Sequence, residues 1–221
     1  MKKIALIGMP NTGKSTIFNK ISGASATVGN WPGITIDLYS VKTLIDGAIT
    51  ELIDLPGIYN LDGYSEDEKV VQTFIANNKL DKILFVLNST QIDRQLDLIK
   101  EIKKLGVPIL IIANMIDEAK KFGLTIKFDD IEKMIGCPII PMSAKYNQGM
   151  DLLTKKLNKK TLPINMEKNF SSEEIIQKTV TFPPILNDKL TKKLDYFFLH
   201  PLWGIPLFLM IIYGIFQFVF T

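Results

Sequence analysis

One stretch near the N-terminus constrains this chain more than any other feature. Residues 8–15 read Gly-Met-Pro-Asn-Thr-Gly-Lys-Ser and match the pattern G-x-x-x-x-G-K-[ST]. An apolar run over residues 3–8 precedes the match and helical spacing over residues 14–22 follows it, which is the context that a phosphate-binding loop requires. Backbone N–H groups at the helix start attract phosphate oxygens, Lys14 reaches the β- and γ-phosphates, and Ser15 is a ligand for Mg2+. The match predicts a nucleotide-binding α/β domain.

The rest of the first 157 residues alternates between apolar runs and helical spacing. Strands are predicted at residues 38–45, 48–54, 83–88, 107–114 and 138–142, and helices at residues 92–105 and 148–157. Asp46-Gly47 is a strong hairpin signal that places one antiparallel strand at the edge of the sheet. Continuous apolar strands are typical of a buried parallel sheet. The predicted fold class is therefore α/β, with a doubly wound and mostly parallel sheet.

A second motif, Asp54-Leu55-Pro56-Gly57, stands at the end of a predicted strand. In a parallel sheet that strand end lies beside the phosphate loop, which is where a carboxylate that orients Mg2+ belongs. A glycine three residues later lets its backbone N–H approach a γ-phosphate. Asp54 is therefore a predicted Mg2+ ligand and Gly57 a predicted γ-phosphate contact.

Two further loops concern the base of the nucleotide. Asn114-Met115-Ile116-Asp117 follows a predicted strand, and Asp117 can accept hydrogen bonds from N1–H and the exocyclic amine of guanine, a pattern that adenine lacks. Asn114 can tie this loop to the phosphate loop. Backbone N–H groups of the second loop, Ser143-Ala144-Lys145, can meet the guanine O6. The motifs in this order predict a P-loop GTPase that prefers GTP to ATP.

A loop rich in glycine and proline lies between the first predicted helix and the second strand. It reads Gly29-Asn30-Trp31-Pro32-Gly33-Ile34-Thr35 and is expected to be mobile. The Thr35 hydroxyl can complete the Mg2+ shell while the γ-phosphate is present and release it afterwards. The loop is the predicted first switch.

These motifs together resemble the N-terminal part of the ferrous iron transport protein B family, FeoB. The resemblance is carried by GMPNTGKSTIFNKISG, NWPGITID, DLPGIYNL and NMID, and it returns over residues 199–206 at the family's entry into its first membrane helix. The resemblance implies a GTPase domain on the cytoplasmic side of a ferrous iron uptake system. It also implies K+ near Asn11, where the cation supplies charge that an arginine finger supplies elsewhere.

The predicted site follows from the motifs and the resemblance together. The nucleotide contacts are Gly8, Asn11, Thr12, Gly13, Lys14, Ser15, Thr16, Gly33, Thr35, Asp54, Gly57, Asn114, Met115, Asp117, Ser143, Ala144 and Lys145. Asn11, Lys14, Thr35 and Gly57 form the catalytic set. The ligands of Mg2+ are Ser15, Thr35 and Asp54, and the ligand of K+ is Asn11.

Two positions depart from common GTPases. Ile58 stands directly after Asp-Leu-Pro-Gly, where many of these enzymes carry a glutamine that positions water. An apolar side chain cannot do this, so hydrolysis is expected to be slow and assisted by K+. Met115 stands where most have a lysine that braces the base site, which predicts weaker nucleotide binding and fast exchange.

The C-terminal tail differs in character from the rest of the chain. Residues 201–221 contain no charged side chain, and the 19 residues 202–220 span roughly 28 Å as a helix. Lys189, Lys192 and Lys193 precede the tail and favour a cytoplasmic N-terminal side. The predicted division is a GTPase domain at residues 1–157, a linker with a short amphipathic helix at 158–199, and one transmembrane helix at 200–221.

The linker shows two helical signals of its own. Ser171 and Glu174 predict a capped helix near residues 173–178, and apolar spacing over residues 186–199 predicts a helix at the membrane surface.

The expected function is GTP hydrolysis that gates or regulates ferrous iron uptake at the inner membrane, in a single-pass, shortened or truncated FeoB. Further membrane subunits or self-association would complete the system. A net charge of +3 gives no nucleic-acid footprint, and the single Cys137 excludes an internal disulfide. Three alternatives stay open: a membrane-tethered GTP/GDP sensor with negligible hydrolysis, an RNA- or ribosome-associated GTPase, and an inactive remnant of a split gene.

Overall fold

The computed structural model describes residues 1–23, 27–29, 38–45, 47–157, 170–183, 195–200 and 202–220. The chain divides into two compact units, Met1–Phe182 and Pro183–Thr221. The first unit therefore extends beyond residue 157, where the sequence places the end of the GTPase domain. Of the predicted site residues, Gly33 and Thr35 lie outside the described part of the chain.

The first unit has the α/β architecture of a P-loop GTPase. The strands are β1 Lys2–Ile7, β2 Thr27–Gly29, β3 Leu38–Ile45, β4 Ala48–Asp54, β5 Lys82–Asn88, β6 Ile109–Asn114, β7 Thr125–Ile126, β8 Ile139–Pro141 and β9 Val180–Thr181. The helices are α1 Lys14–Ser22, α2 Glu66–Asn77, α3 Ile92–Lys103, α4 Ile116–Lys121, α5 Phe128–Ile135, α6 Met150–Leu157 and α7 Ser172–Thr179. A 3-10 turn, Ser89–Gln91, joins β5 to α3.

A seven-stranded sheet in the order β2-β3-β4-β1-β5-β6-β8 organises this unit. Strand β3 pairs antiparallel with both β2 and β4, and the neighbours from β4 to β8 are parallel. The predicted mostly parallel sheet with one antiparallel strand is confirmed. The predicted edge position of that strand is wrong, because β2 pairs with its outer side.

The strands are buried on both faces of the sheet, as their continuous apolar sequences predict. In β1, Ala5 and Ile7 point into the core on the α2, α3, α5 and α7 side, whereas Ile4 and Leu6 point into the core on the α1 and α6 side. All four side chains are buried. This packing holds the carboxyl ends of β1, β4, β5, β6 and β8 along one edge, where the predicted motifs lie.

Helix α7 and strand β9 pack against the rest of the first unit. The helix contacts α3 and α5, and β9 pairs antiparallel with β7. As predicted from the sequence, the Ser171 hydroxyl caps α7, since it accepts a hydrogen bond from the Glu174 N–H at 3.4 Å. Burial of Ile175 and Val180 fixes the segment in place.

The second unit contains the helix Gly204–Phe220. Large apolar side chains along it, such as Phe208, Ile215 and Phe218, are exposed. Within the described ranges, none of the helices is both long enough and apolar enough to span a bilayer. Most of the helix predicted over residues 186–199 lies outside the described residues.

Candidate nucleotide-binding site

The loop between β1 and α1 fits tightly against the edge of the sheet. A Cβ on Gly8 would collide with the Val86 carbonyl oxygen of β5. Gly13 adopts a φ of +87° at the N-cap of α1, and a Cβ there would collide with the side-chain amide of Asn114. A side chain at either glycine would therefore collide with a neighbouring group. At Gly13 the left-handed backbone conformation is a second reason for glycine.

The interior of the loop is stabilised by its own side chains. The Thr12 hydroxyl donates to the Met9 carbonyl at 3.0 Å, and Thr12 is buried. Asn11 adopts a φ of +61°, which asparagine tolerates better than most residues. Its side chain is exposed on the loop surface, where a ligand can reach it.

Lys14, Ser15 and Asp54 form a polar cluster at the start of α1. The Ser15 hydroxyl donates to Asp54 Oδ2 at 2.8 Å, and Asp54 Oδ1 is buried with no hydrogen-bond partner. Lys14 is only 8% exposed. The hydroxyl and carboxylate oxygens are the ligand types that Mg2+ takes in phosphate-binding sites, and the orphaned oxygen is available to the ion or one of its water ligands.

Burial dominates the electrostatics of this cluster. It raises the pKa of Asp54, an effect that the hydrogen bond from Ser15 and the charge of Lys14 oppose. It also lowers the pKa of Lys14, against the charges of Asp54 and Asp67. Both charged forms are therefore less well solvated than in water, which is the condition that a bound polyphosphate and cation relieve.

The segment after β4 closes over the phosphate loop. A Cβ on Gly57 would come within 2.9 Å of Pro10 N and Cα, so only glycine fits without a shift. The Ile58 N–H donates to the Gly8 carbonyl at 3.2 Å. The Ile58 side chain is 1% exposed and belongs to the core, so the residue at this position points away from the phosphate side.

Asn114 joins the phosphate loop to the loop after β8. Its Nδ2 donates to the Thr12 carbonyl at 2.9 Å, and its Oδ1 accepts from the Ala144 N–H at 2.9 Å. Both hydrogen-bonding groups of this buried amide are thus used. The Ala144 N–H, which the sequence assigns to the guanine O6, is engaged by Asn114 in this structure.

The start of α4 carries the two other residues of the Asn-x-x-Asp motif. Met115 is the N-cap of α4 with a φ of +62°. A Cβ on Gly13 would lie 3.8 Å from Met115 Cε, which places this side chain beside the phosphate loop. Asp117 lies in the first turn of α4 and is half-buried.

The loop over residues 143–149 is closed by backbone pairing. Ser143 and Gln148 exchange hydrogen bonds of 3.0 and 3.1 Å. The Lys20 ammonium on α1 donates to Asn147 Oδ1, and the Lys145 ammonium lies 5.5 Å from the Tyr146 ring centroid. The Ser143 hydroxyl is buried without a partner. This loop is therefore held to α1 and to β6 at the same time.

The structure brings the described site residues to one edge of the sheet. Residues 8 and 11–16, with 54 and 57, are the predicted phosphate contacts, and the predicted base contacts lie at the ends of the neighbouring strands β6 and β8, at residues 114, 115, 117 and 143–145. Sequence reasoning missed Glu101 on α3, which accepts a hydrogen bond from the Leu61 N–H at 2.6 Å. A glutamate among lysines on a helix is typical of a solvated face, so no signal in the sequence distinguishes it.

The chain was compared with known proteins. Residues 2–157 match the family model described as ferrous iron transport protein B. The Fe(2+) transporter FeoB of Synechocystis sp. is 38% identical over 97% of this chain, and the chain spans 38% of the length of that relative.

Solved structures agree with this match. The cytosolic domain of L. pneumophila FeoB has a TM-score of 0.68 and 31% identity, over 87% of this chain and 82% of that one. The cytosolic domain of the T. maritima FeoB iron transporter in GMPPNP form has a TM-score of 0.67 and 32% identity, over 80% of this chain and 72% of that one. The chain therefore belongs to the ferrous iron transport protein B family.

Proposed function

We propose that this chain binds GTP, hydrolyses it to GDP and phosphate, and thereby regulates or gates ferrous iron uptake across the cytoplasmic membrane. The observation that carries the proposal is the cluster of buried Lys14, half-buried Asp54 and exposed Ser15 at the phosphate loop, in which the Asp54 Oδ1 atom is buried without a hydrogen-bond partner. A buried, unpaired polar atom beside a buried ammonium costs stability unless a ligand satisfies both. A nucleoside triphosphate with its metal does so.

The phosphates are bound by the loop and by Lys14. The close fit of Gly8 and Gly13 keeps the loop backbone against the sheet, so its N–H groups face the nucleotide at the positive end of α1. Ser15 and Asp54, with Thr35 of the first switch, hold Mg2+. When bound there, Mg2+ neutralises charge on the β- and γ-phosphates.

Guanine is selected by Asp117, which accepts from N1–H and the exocyclic amine. Asn114 supports this role because it holds the base side and the phosphate side in one fixed relation. Met115 contacts the region of Gly13 through its terminal methyl instead of bracing the base with a charge. GTP and GDP are therefore bound selectively, with fast exchange.

Hydrolysis proceeds by positioning and charge stabilisation. Ile58 cannot orient water, because its side chain is buried in the core. The γ-phosphate is instead aligned by contacts of its oxygens with the catalytic set, which is Asn11, Lys14, Thr35 and Gly57. Asn11 is exposed on the loop, and its amide oxygen is a carbonyl ligand of the kind that suits K+. K+ held by Asn11 would supply positive charge in place of an arginine finger, so we expect slow, K+-assisted turnover.

Iron uptake and membrane association rest on family membership. The Synechocystis relative is an Fe(2+) transporter, and this chain spans 38% of its length. The exposed apolar side chains of Gly204–Phe220 favour a hydrocarbon environment. We infer a single-pass attachment to the inner membrane, with the GTPase unit in the cytoplasm. Further membrane subunits or self-association complete the transport path.

The test is GTP hydrolysis by the full chain in mild detergent, in potassium and then in sodium. Wild-type protein is expected to turn over faster in potassium, Asn11→Ala to lose that difference, and Lys14→Ala to lose turnover altogether. Binding of fluorescent GDP is measured in parallel. Absence of nucleotide binding in the wild-type protein would overturn the proposal.

The buried position of Ile58 also favours a second candidate, a GTP/GDP sensor with negligible hydrolysis. The same assay separates the two functions. Tight binding of GTP and GDP without turnover in either salt identifies the sensor.

A further inference from the structure

We propose that Glu101 is a positioning residue that holds the second switch, residues 57–65, in its working position. Its Oε2 accepts a hydrogen bond of 2.6 Å from the Leu61 N–H, 40 residues earlier in the chain. A bond from an amide to a carboxylate is shorter and stronger than one between neutral groups. The inference deepens the proposed GTPase function and rests on it.

The two ends of the second switch are anchored independently of Glu101. At the start, Gly57 lies against Pro10 and the Ile58 N–H donates to Gly8. At the end, Ser65 and Glu68 form a reciprocal capping box at the start of α2. Glu68 also accepts from the Tyr64 N–H at 3.0 Å. The segment between these anchors has to be held by other contacts.

Leu61 is one point at which the middle of the switch is held, and its side chain also packs against the core. Its N–H is bound by Glu101, and its carbonyl accepts from Gln72 Nε2 on α2. Tyr59 and Tyr64, on either side, are 64% and 83% exposed. The peptide groups of Leu61 thus join an exposed loop to two helices, and Glu101 provides the charged contact.

The position of Leu61 matters for hydrolysis because Gly57 lies only four residues before it. The Gly57 N–H acts on the γ-phosphate only when the switch stays closed over the phosphate loop. The Ile58 hydrogen bond to Gly8 and the hold at Leu61 together keep this end of the switch closed, so a switch released at Leu61 relies on the first alone and spends less time closed. Loss of Glu101 therefore lowers kcat and leaves the phosphate loop and the base loops intact.

Helix α3 offers a matched control one turn away. Asp97 also accepts a hydrogen bond across a helix surface, from the Ser172 hydroxyl of α7 at 2.7 Å, and pairs with Lys100. Asp97→Ala thus removes a comparable contact on the same helix without touching the second switch. The Asp97→Ala variant therefore measures how far kcat and hydrogen exchange change when α3 loses a contact that does not involve the second switch.

The experiment compares the full chain in mild detergent as wild type, Glu101→Ala, Glu101→Gln and Asp97→Ala. The readouts are kcat for GTP, affinity for fluorescent GDP, and amide hydrogen exchange over residues 57–65. Glu101→Ala is expected to lower kcat about tenfold, the value of one charged hydrogen bond, with GDP affinity unchanged within about twofold. Exchange in the peptide containing Leu61 becomes faster. Glu101→Gln keeps an acceptor oxygen, so its kcat and its hydrogen exchange rate are expected to lie between those of wild type and Glu101→Ala.

Two results would overturn the inference. The first is unchanged exchange and kcat in Glu101→Ala. The second is an equal loss of kcat in Asp97→Ala, which would show that any loosening of α3 has this effect. Hydrogen exchange tests the Leu61 contact even in a protein that does not hydrolyse GTP, so failure of the proposed function is distinguished from failure of this inference.

Discussion

The phosphate side and the base side of the nucleotide site differ in how far their polar groups are hydrogen-bonded within the protein. On the phosphate side, residues 8–15 and 54–57, Lys14 is buried and Asp54 has an oxygen without a partner. On the base side, residues 114–117 and 143–149, Asn114 uses both groups of its amide and the loop is closed by backbone pairing. Among the buried side-chain polar atoms of these base-side residues, the Ser143 hydroxyl is the one without a hydrogen-bond partner.

The difference assigns separate tasks to the two sides. Groups that are buried and poorly satisfied gain most when a charged ligand arrives, so we expect the phosphate side to provide most of the affinity and the chemistry. A loop that is already hydrogen-bonded loses little entropy on binding, so we expect the base side to provide selectivity. Asn114 joins the two sides, because its side-chain amide hydrogen-bonds both Thr12 and Ala144.

The largest expected effect is that of Lys14→Ala. The substitution removes charged hydrogen bonds to two phosphates, and we expect GTP and GDP affinity to fall by about a hundredfold or more. Titration calorimetry measures this, with Lys155→Ala on the exposed face of α6 as the control. Equal affinities in wild type and Lys14→Ala would contradict the assignment of residues 8–15 and 54–57 to phosphate binding.

Asp117→Ala is expected to change selectivity more than affinity for phosphates. Inosine triphosphate lacks the exocyclic amine of GTP, so wild-type protein should prefer GTP by about tenfold and the variant should show no preference. Competition against fluorescent GDP measures the ratio, and Glu118→Gln in the same helix is the control. A preference that survives in Asp117→Ala would place base recognition elsewhere.

Asn114→Ala is expected to weaken both sides. It leaves the Thr12 carbonyl and the Ala144 N–H without their partner, which costs about 2 kcal/mol of stability. Thermal unfolding and nucleotide titration should both show the loss. A variant with wild-type stability would mean that the two loops are held by other contacts.

Asp54→Asn is expected to stabilise the nucleotide-free protein and to abolish Mg2+-dependent binding. Burial raises the pKa of Asp54, so the native state binds the proton more tightly than the unfolded state does. The resulting stabilisation is present below the unfolded pKa and is lost as pH rises through the folded pKa. Near neutral pH the charged carboxylate is therefore a cost, and its removal should raise Tm by about 2 °C.

The control for that prediction is Asp151→Asn, an exposed carboxylate on α6. The difference in Tm between Asp54→Asn and wild type should grow between about pH 4 and pH 7. A difference that shrinks with rising pH would contradict the assigned direction of the pKa.

The smallest expected effect is that of Met115→Lys. A lysine here would place a charge beside the phosphate loop where the methyl group now lies, and one exposed contact of this kind is worth a few tenths of a kcal/mol to about 1 kcal/mol. Release of GDP should slow about threefold. Stopped-flow displacement of fluorescent GDP measures the rate, and unchanged or faster release would show that Met115 does not set nucleotide exchange.

The sequence predicts the sheet well and the supporting contacts poorly, for a physical reason. Strands such as β5 and β6 are continuous apolar runs whose bounds follow from composition. Strands of two or three residues, such as β2 and β7, carry no periodicity. The phosphate loop is recognisable because its predicted phosphate-binding residues lie within eight consecutive positions, whereas the bond between Glu101 and Leu61 joins distant segments that only the fold brings together.

The division of tasks between the two sides is tested most directly by hydrolysis of bound GTP at saturating nucleotide. The full chain is compared with Asn11→Ala on the phosphate side and Asp117→Ala on the base side. We expect Asp117→Ala to keep its hydrolysis rate within about twofold of wild type once GTP is bound, and the rate of Asn11→Ala to fall about tenfold or more. A larger loss in Asp117→Ala than in Asn11→Ala would contradict this division of tasks.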